Sequence, residues 1–354
     1  MVIARIVGHG SAFPTAMDHQ EVWEQFFDRH YDGNRVAEKV WRSAGIETRH
    51  AVADPRKEDL SSWGTGARMR RFVDEAVPLG QEAVEAALKD AGVHASDVGL
   101  FAVVSCTGYA TPGVDILLAR ELGMSPDVQR LHIGHMGCYA ALPGLGAVAD
   151  FVAARGRPAV LLCVELPSLH VQPATDDLQQ MVAHALFADG AAALVLVPSE
   201  GAGPGLDVLD ISARTDPTTL DHMTWDVTDL GFRMGLSPRV PAVLAEHARP
   251  VVDDLLARHG LTVSDVGGWA VHPGGRRIVE VVAEALGLTD AQVQPSYDVL
   301  RDMGNCSSAT VLFVLSRLLE TDPPPAGAPV VAMAFGPGLT LYNALLRNVA
   351  AGPE

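Results

Sequence analysis

The chain has 354 residues, of which 48% are hydrophobic and 19% charged, and its formal net charge is −17 at pH 7. That apolar share is enough for a large core and excludes a disordered chain. The acidic balance disfavours non-specific attachment to nucleic acid or to an anionic membrane surface. With lysine confined to Lys39, Lys57 and Lys89, any local patch that meets an anionic substrate must be built mainly from arginine.

The first ten residues read as a short strand and turn. They contain no long apolar h-region, so no signal peptide is expected. No run reaches the roughly 18 apolar residues of a membrane span, and a cytoplasmic location follows as the expectation. Residues 81–91 have helical spacing, with Val84, Ala87, Leu88 and Ala91 on one face. Residues 99–105 are a buried strand, a further strand ends near Gly134, 137–154 form a small-residue helix, and 158–164 and 191–197 are strands. The theme then repeats: helix 250–259, strand 267–271, helices 277–286 and 307–320, and closing strands 329–335 and 339–346. Alternating buried strands and helices define an α/β protein. The least regular stretch is 199–234, where an N-terminal half (1–200) and a C-terminal half (201–354) are expected to meet and pack as one body.

The four cysteines are Cys106, Cys138, Cys163 and Cys306. None forms a C-x-x-C pair, so zinc or thioredoxin-type chemistry is not expected and no metal site is assigned. His132 and His135 stand three apart without an evident third ligand. Cys138 lies in Met-Gly-Cys-Tyr-Ala-Ala, at the start of the predicted helix, where the positive end of the helix lowers a thiol pKa. A buried packing cysteine is the plain alternative. His272 follows an apolar strand in His-Pro-Gly-Gly, and Asn305 stands in Gly-Asn-Cys-Ser-Ser before an apolar helix, where an N-cap is the plain alternative. Cysteine, histidine and asparagine on separate strand ends can form a thiolate–imidazolium pair with an amide that orients or stabilises charge. That trio serves cysteine proteases and condensing enzymes alike.

These three segments, in this order, resemble those of chalcone synthase-like enzymes, the type III polyketide synthases. Residues 334–340 (Ala-Phe-Gly-Pro-Gly-Leu-Thr) resemble the family's C-terminal loop, with Ala334 replacing a glycine. Residues 186–192 match the segment that carries its gatekeeper phenylalanine, here Phe187, with Ala188 where plant members have glycine. The resemblance runs from about Ile6 to Leu346.

It implies a thiolase-like fold of two related five-layered α/β halves (αβαβα), and a homodimer. Cys138 would carry the acyl starter, while His272 and Asn305 would stabilise the enolate formed when malonyl-CoA loses carbon dioxide. Malonyl-CoA and an acyl-CoA starter are the implied partners; no cofactor is implied beyond these CoA thioesters, and neither nucleic acid nor a membrane is a partner. The cavity is expected to take in Cys106, Thr107, Glu165, Pro167, His170, Ser307 and Pro337, with Thr111 near the dimer interface. A second gatekeeper aligns to Phe232 or Met234. Arg35, Lys39 and Arg42, which share a helical face, and Gly274, Gly275 and Arg277 are expected along the CoA tunnel. Pro167 and His170 stand where plant chalcone synthases favour threonine, so an aliphatic starter is expected, giving a pyrone or resorcinol-type product. The competing readings are a β-ketoacyl carrier-protein synthase of the initiating kind and a catalytically inactive dimeric scaffold.

Overall fold

The computed structural model describes residues 3–350. Its strands are β1 (Ala4–Ala12), the short pair β2 (Ala16–Asp18) and β3 (Thr48–His50), then β4 (Leu100–Ser105), β5 (Gln129–Gly134), β6 (Ala159–Glu165) and β7 (Gly190–Pro198). In the C-terminal half they are β8 (Gly205–Thr215), the hairpin β9 (Met223–Thr228) and β10 (Gly231–Leu236), then β11 (Gly268–Val271), β12 (Pro329–Gly336) and β13 (Thr340–Val349). Met1 and Val2, the first residues of the expected N-terminal strand, lie outside the described residues.

The halves repeat one topology. In the first, β4 runs parallel to β5 and β6, and β7 and β1 follow antiparallel; in the second, β11 runs parallel to β12, and β13 and β8 follow antiparallel. The two sheets join where β1 meets β8 over Arg5↔Asp207 and Ile6↔Leu206. There the buried Asp207 accepts from Arg5 at 2.7 Å and from Arg347 at 2.8 Å, so the carboxylate is paired on both sides.

The layers follow from strand alternation. Leu100, Ala102 and Val104 of β4, and Val330, Ala332 and Ala334 of β12, face a central core; Phe101 and Val103, and Val331, Met333 and Phe335, face two outer cores. The central core is filled by the helices Ala141–Arg155 and Thr310–Thr321, through Leu142, Leu145 and Val148 and through Val311, Leu312 and Leu315. Helix Thr65–Ala91 covers the first sheet, and helices Val240–Ala257 and Arg276–Leu286 cover the second. Together the halves make the five layers of a thiolase-like fold.

Three differences from the sequence reading have physical causes. The helices expected at 81–91 and 250–259 run 65–91 and 240–257, straight through Pro78 and Pro250. Each proline forfeits one hydrogen bond, but the apolar face continues on both sides of it, through Phe72, Ala76 and Ala83 and through Leu244, Ala248 and Val252, and tertiary packing prevails. The stretch 199–234 is ordered: it supplies β8 and the β9–β10 hairpin. Helix Asp290–Met303, which the sequence reading did not assign, starts at a capping box between Thr289 and Gln292.

Candidate active site

The two central helices begin in corresponding turns, and the fold sets those turns face to face. Cys138 precedes the first; Asn305 and Ser307 precede the second. The Cys138 Sγ lies 3.6 Å from the Ser307 Oγ, and the Cys106 Sγ lies 3.2 Å from the same oxygen. Ser307 holds this place with φ +50°, an uncommon conformation for a residue with a side chain. The Gly336-Pro337-Gly338 loop packs directly on the nucleophile turn. Gly137 has φ +84°, and a Cβ there would stand 2.5 Å from the Cδ of Pro337, so only glycine fits.

The helix starts at Ala141 rather than Gly137, which leaves Cys138 in the preceding turn, where the helix-end field has begun to fade. Burial dominates instead and pushes its thiol up to about 12, while the Ser307 hydroxyl pulls the other way. Burial likewise pushes the His272 imidazole down to about 3. Each group is thus driven to its neutral form, and charge separation here is favourable only as a thiolate–imidazolium pair.

His272 ends β11. Its N–H donates to the Met333 carbonyl at 2.8 Å, and the Val271 carbonyl before it accepts from Ser296 Oγ at 2.7 Å. The backbone is thereby fixed, while both ring nitrogens are buried without a partner among the described residues. Buried polar atoms are normally paired, so an orphaned pair at a cavity wall marks a place kept for a ligand. Asn305 shows the complementary arrangement: its Oδ1 accepts from the Ser307 N–H at 2.9 Å and the Thr310 hydroxyl at 3.3 Å, which leaves its amide N–H groups as the free end.

Cys138, His272 and Asn305 line one tunnel of about 500 Å³. Its outer wall is largely apolar, with Leu178, Val182, Leu236, Val240 and Ile278, and with Gly274, Gly275, Arg276 and Arg277 on one side. At its inner end stand Phe187 and Met234. Beyond them are two small chambers, of about 20 Å³ beside Cys106, Thr107, Pro167, Ser307 and Pro337, and of about 50 Å³ beside His170 and Phe232. Pro167, Phe187, Met234 and Trp225 border both. The Trp225 indole N–H donates to the Cys106 carbonyl at 2.7 Å.

Some expected residues stand elsewhere. Phe232 is not at the tunnel junction: it is stacked on His170 at 4.6 Å, and Met234 occupies the position beside Phe187. Two apart on β10, the two side chains share one face and both border the chamber of about 50 Å³, but only Met234 also reaches the tunnel. Glu165 forms no part of the cavity wall. It is a buried hub beneath the wall, accepting from the Cys106 N–H, the Thr107 and Ser308 hydroxyls and Ser105 Oγ, and its carboxyl is raised by burial against those bonds. Thr111, expected near a dimer interface, is exposed beside Tyr109 and borders neither the tunnel nor the two chambers. Arg35, Lys39 and Arg42 ride the exposed side of helix Arg35–Arg42; the tunnel wall there is made by Val40, Ser43 and Ala44, and Arg42 is tied to Glu38 at 2.9 Å. Among the described residues no group of three or more His, Cys, Asp and Glu could hold a metal ion, and no helix is long and apolar enough to cross a membrane.

Met223, Trp225 and Arg276 were missed in the sequence. The first two lie in the stretch read as irregular, although Met223-Thr-Trp-Asp-Val-Thr followed by Gly231 alternates as a hairpin strand does and was the available signal.

A thiolase-type α/β fold with cysteine, histidine and asparagine on the wall of one tunnel defines a condensing enzyme. Residues 45–204 match the N-terminal domain of chalcone and stilbene synthases, and residues 211–350 match the C-terminal domain. The chain is 37% identical to a 3,5-dihydroxyphenylacetyl-CoA synthase of Streptomyces toyocaensis, over 97% of this chain and 90% of that one. It is 34% identical to an alpha-pyrone synthesis polyketide synthase-like protein of Mycobacterium tuberculosis, over 87% of this chain and 81% of that one. The crystal structure of 1,3,6,8-tetrahydroxynaphthalene synthase from Streptomyces coelicolor superposes with a TM-score of 0.92 at 28% identity, covering 98% of this chain and 100% of that one. The chain belongs to the chalcone and stilbene synthase family and is a type III polyketide synthase, an acyltransferase.

Proposed function

We propose that Cys138 carries the growing chain, that His272 serves both loading and extension, and that Asn305 serves extension. In loading, the Cys138 thiol proton passes to His272 and the sulfur attacks the thioester carbonyl of an acyl-CoA; CoA leaves as its thiol. In extension, malonyl-CoA loses carbon dioxide. The resulting enolate oxygen is held by N–H groups of His272 and Asn305, and the carbanion attacks the Cys138 thioester to give a β-ketoacyl-CoA and free the sulfur. The product chain returns to Cys138 for another round. No step calls for a metal or a further cofactor. The carrying observation is the pairing of orphaned imidazole nitrogens on His272 with an Asn305 amide whose oxygen is already engaged, on the tunnel wall they share with Cys138.

The starter is an aliphatic acyl-CoA, and the released product a pyrone or resorcinol-type ring. Pro167, Met223, Trp225 and Met234 give the inner walls an apolar character. His170 has no hydrogen bond left to offer an aromatic hydroxyl: its Nε2 engages the Thr107 carbonyl at 2.7 Å and its Nδ1 accepts from the Phe232 N–H at 3.0 Å. The anionic CoA groups meet Arg276 and Arg277 at the mouth, with Arg35, Lys39 and Arg42 nearby on the outer surface. The working form is a homodimer that covers the free edge of β5, where Leu131 is exposed, as are the neighbouring Tyr109 and Ile116. Mass spectrometry of products made from malonyl-CoA with octanoyl-CoA or coumaroyl-CoA tests the starter. Octanoyl-derived pyrones or resorcinols are expected, and a clear preference for coumaroyl-CoA overturns it.

A further inference from the structure

Two arginines, Arg68 and Arg49, are buried among backbone carbonyls, and Arg49, on β3, is the one that touches the tunnel junction. It is 7% exposed, and among the described residues no carboxylate lies within ion-pair distance of it. A guanidinium withdrawn from water normally has a charged partner. Arg49 instead stands over the Trp41 ring at 5.1 Å and turns its fork onto two backbone carbonyls, that of His184 at 2.9 Å and that of Phe187. These carbonyls belong to the last turn of helix Leu178–Leu186 and the residue that caps it, where carbonyls lack helical partners and the helix presents its negative end.

The segment held this way carries the tunnel junction. Phe187 N–H donates to the Ala183 carbonyl, and the Leu186 carbonyl accepts from the Asn305 N–H at 3.0 Å. The Ala188 N–H donates to the Asn305 carbonyl at 3.0 Å, so the loop of Asn305 brackets Phe187 on both sides. Packing leaves no slack there: a Cβ on Gly304 would stand 2.9 Å from the Cβ of Ala188. The Phe187 carbonyl is held neither by the Asn305 loop nor by the helix, and Arg49 takes it. Arg49 itself is anchored, since it pairs with Met17 across β2–β3 and the neighbouring His50 carbonyl accepts from the Asp189 N–H at 2.9 Å.

We propose that Arg49 is a positioning residue: through its bond to the Phe187 carbonyl it holds the Phe187 ring at the tunnel junction and the Asn305 amide in the tunnel wall. Only arginine supplies a planar fork that reaches two carbonyls at once; lysine supplies a point charge for one. The proposal rests on the assignment of Asn305 to enolate stabilisation.

The test compares wild type, Arg49→Lys and Arg49→Met as full chains, with folding checked by circular dichroism. Two readouts are taken: acylation of Cys138 by a starter acyl-CoA, followed by intact mass, and release of carbon dioxide from malonyl-CoA. A displacement of about 1 Å at a reacting group can cost on the order of 100-fold in rate. Arg49→Met is therefore expected to keep acylation near the wild-type rate while carbon dioxide release falls by about 10–100-fold, with Arg49→Lys between them. Loss of both readouts in equal proportion, or of neither, overturns the proposal. So does failure of both variants to fold, which would make Arg49 a residue of the fold alone. Absence of carbon dioxide release from the wild type would instead overturn the catalytic assignment on which the proposal rests.

Discussion

Ser307 sets its hydroxyl oxygen 3.6 Å from the sulfur of Cys138 while its own backbone stands at φ +50°. Two effects meet in this residue, a hydrogen bond that favours the thiolate and a backbone conformation that glycine adopts more readily. They separate by substitution. Ser307→Gly and Ser307→Ala both remove the hydroxyl, so both should slow alkylation of Cys138 by iodoacetamide at a given pH and move its pH profile upward. Ser307→Ala should also be less stable than Ser307→Gly, by about 1 kcal/mol. Alkylation profiles that coincide with wild type would show that the hydroxyl does not act on Cys138.

Gly137 answers to the Gly-Pro-Gly loop in the same direct way. Gly137→Ala must either push Pro337 away or abandon φ +84°. It should lower the melting temperature, by the equivalent of about 1–3 kcal/mol, and slow acylation of Cys138. Calorimetry and intact-mass loading measure the two losses, and a variant unchanged in both would contradict the packing described.

Trp225 forms a wall common to both inner chambers, held by its bond to the Cys106 carbonyl and by edge contacts with His170 and Phe232. Trp225→Ala should open one chamber into the other at a cost of about 1–3 kcal/mol in stability. Its products should shift toward longer starters or additional malonyl units. An unchanged product spectrum in a folded variant would exclude Trp225 as a determinant of chain length.

Acid should destabilise the protein in a defined window. His184 is buried, with the Gln172 N–H on its Nε2 at 3.0 Å and Tyr31 Oη on its Nδ1 at 2.6 Å, and burial holds its pKa at about 3 against an ordinary 6.5. The unfolded chain therefore binds a proton below about pH 6.5 that the folded chain refuses until about pH 3, so stability is fully present above 6.5 and is lost as pH falls between the two. His19, also near 3, and His170, near 4, add to the same window. Urea midpoints should fall between pH 6.5 and 4, and His184→Gln should flatten that dependence. A midpoint that stays constant over this range would contradict the buried neutral histidines.

The catalytic trio was legible through its ordered motifs, small residues around Cys138, His-Pro-Gly-Gly at His272 and Gly-Asn-Cys-Ser-Ser at Asn305, taken together with the family resemblance, and the layered fold through continuous apolar runs in β4, β6 and β12. What escaped depends on distant packing. Helices that pass through Pro78 and Pro250 are held by faces whose partners lie on other elements. The choice between Phe232 and Met234 turns on the register of the β9–β10 hairpin, which pairs Met234 with Trp225. Glu165 is a wall residue only by the family resemblance, and its carboxyl turns back beneath the wall to hydroxyls from two other segments. Arg49 carried no sequence signal, since its partners are backbone carbonyls that any residue supplies.

The division of labour among Cys138, His272 and Asn305 is tested most directly by measuring acyl transfer to the enzyme and carbon dioxide release from malonyl-CoA in Cys138→Ala, His272→Ala and Asn305→Ala. Cys138→Ala should take no acyl group. Asn305→Ala should still be acylated while its carbon dioxide release falls by about 100–1,000-fold, the loss typical of one removed oxyanion donor, and His272→Ala should be impaired more in decarboxylation than in loading. Acylation that persists without Cys138, or decarboxylation that proceeds at the wild-type rate without both His272 and Asn305, would contradict it.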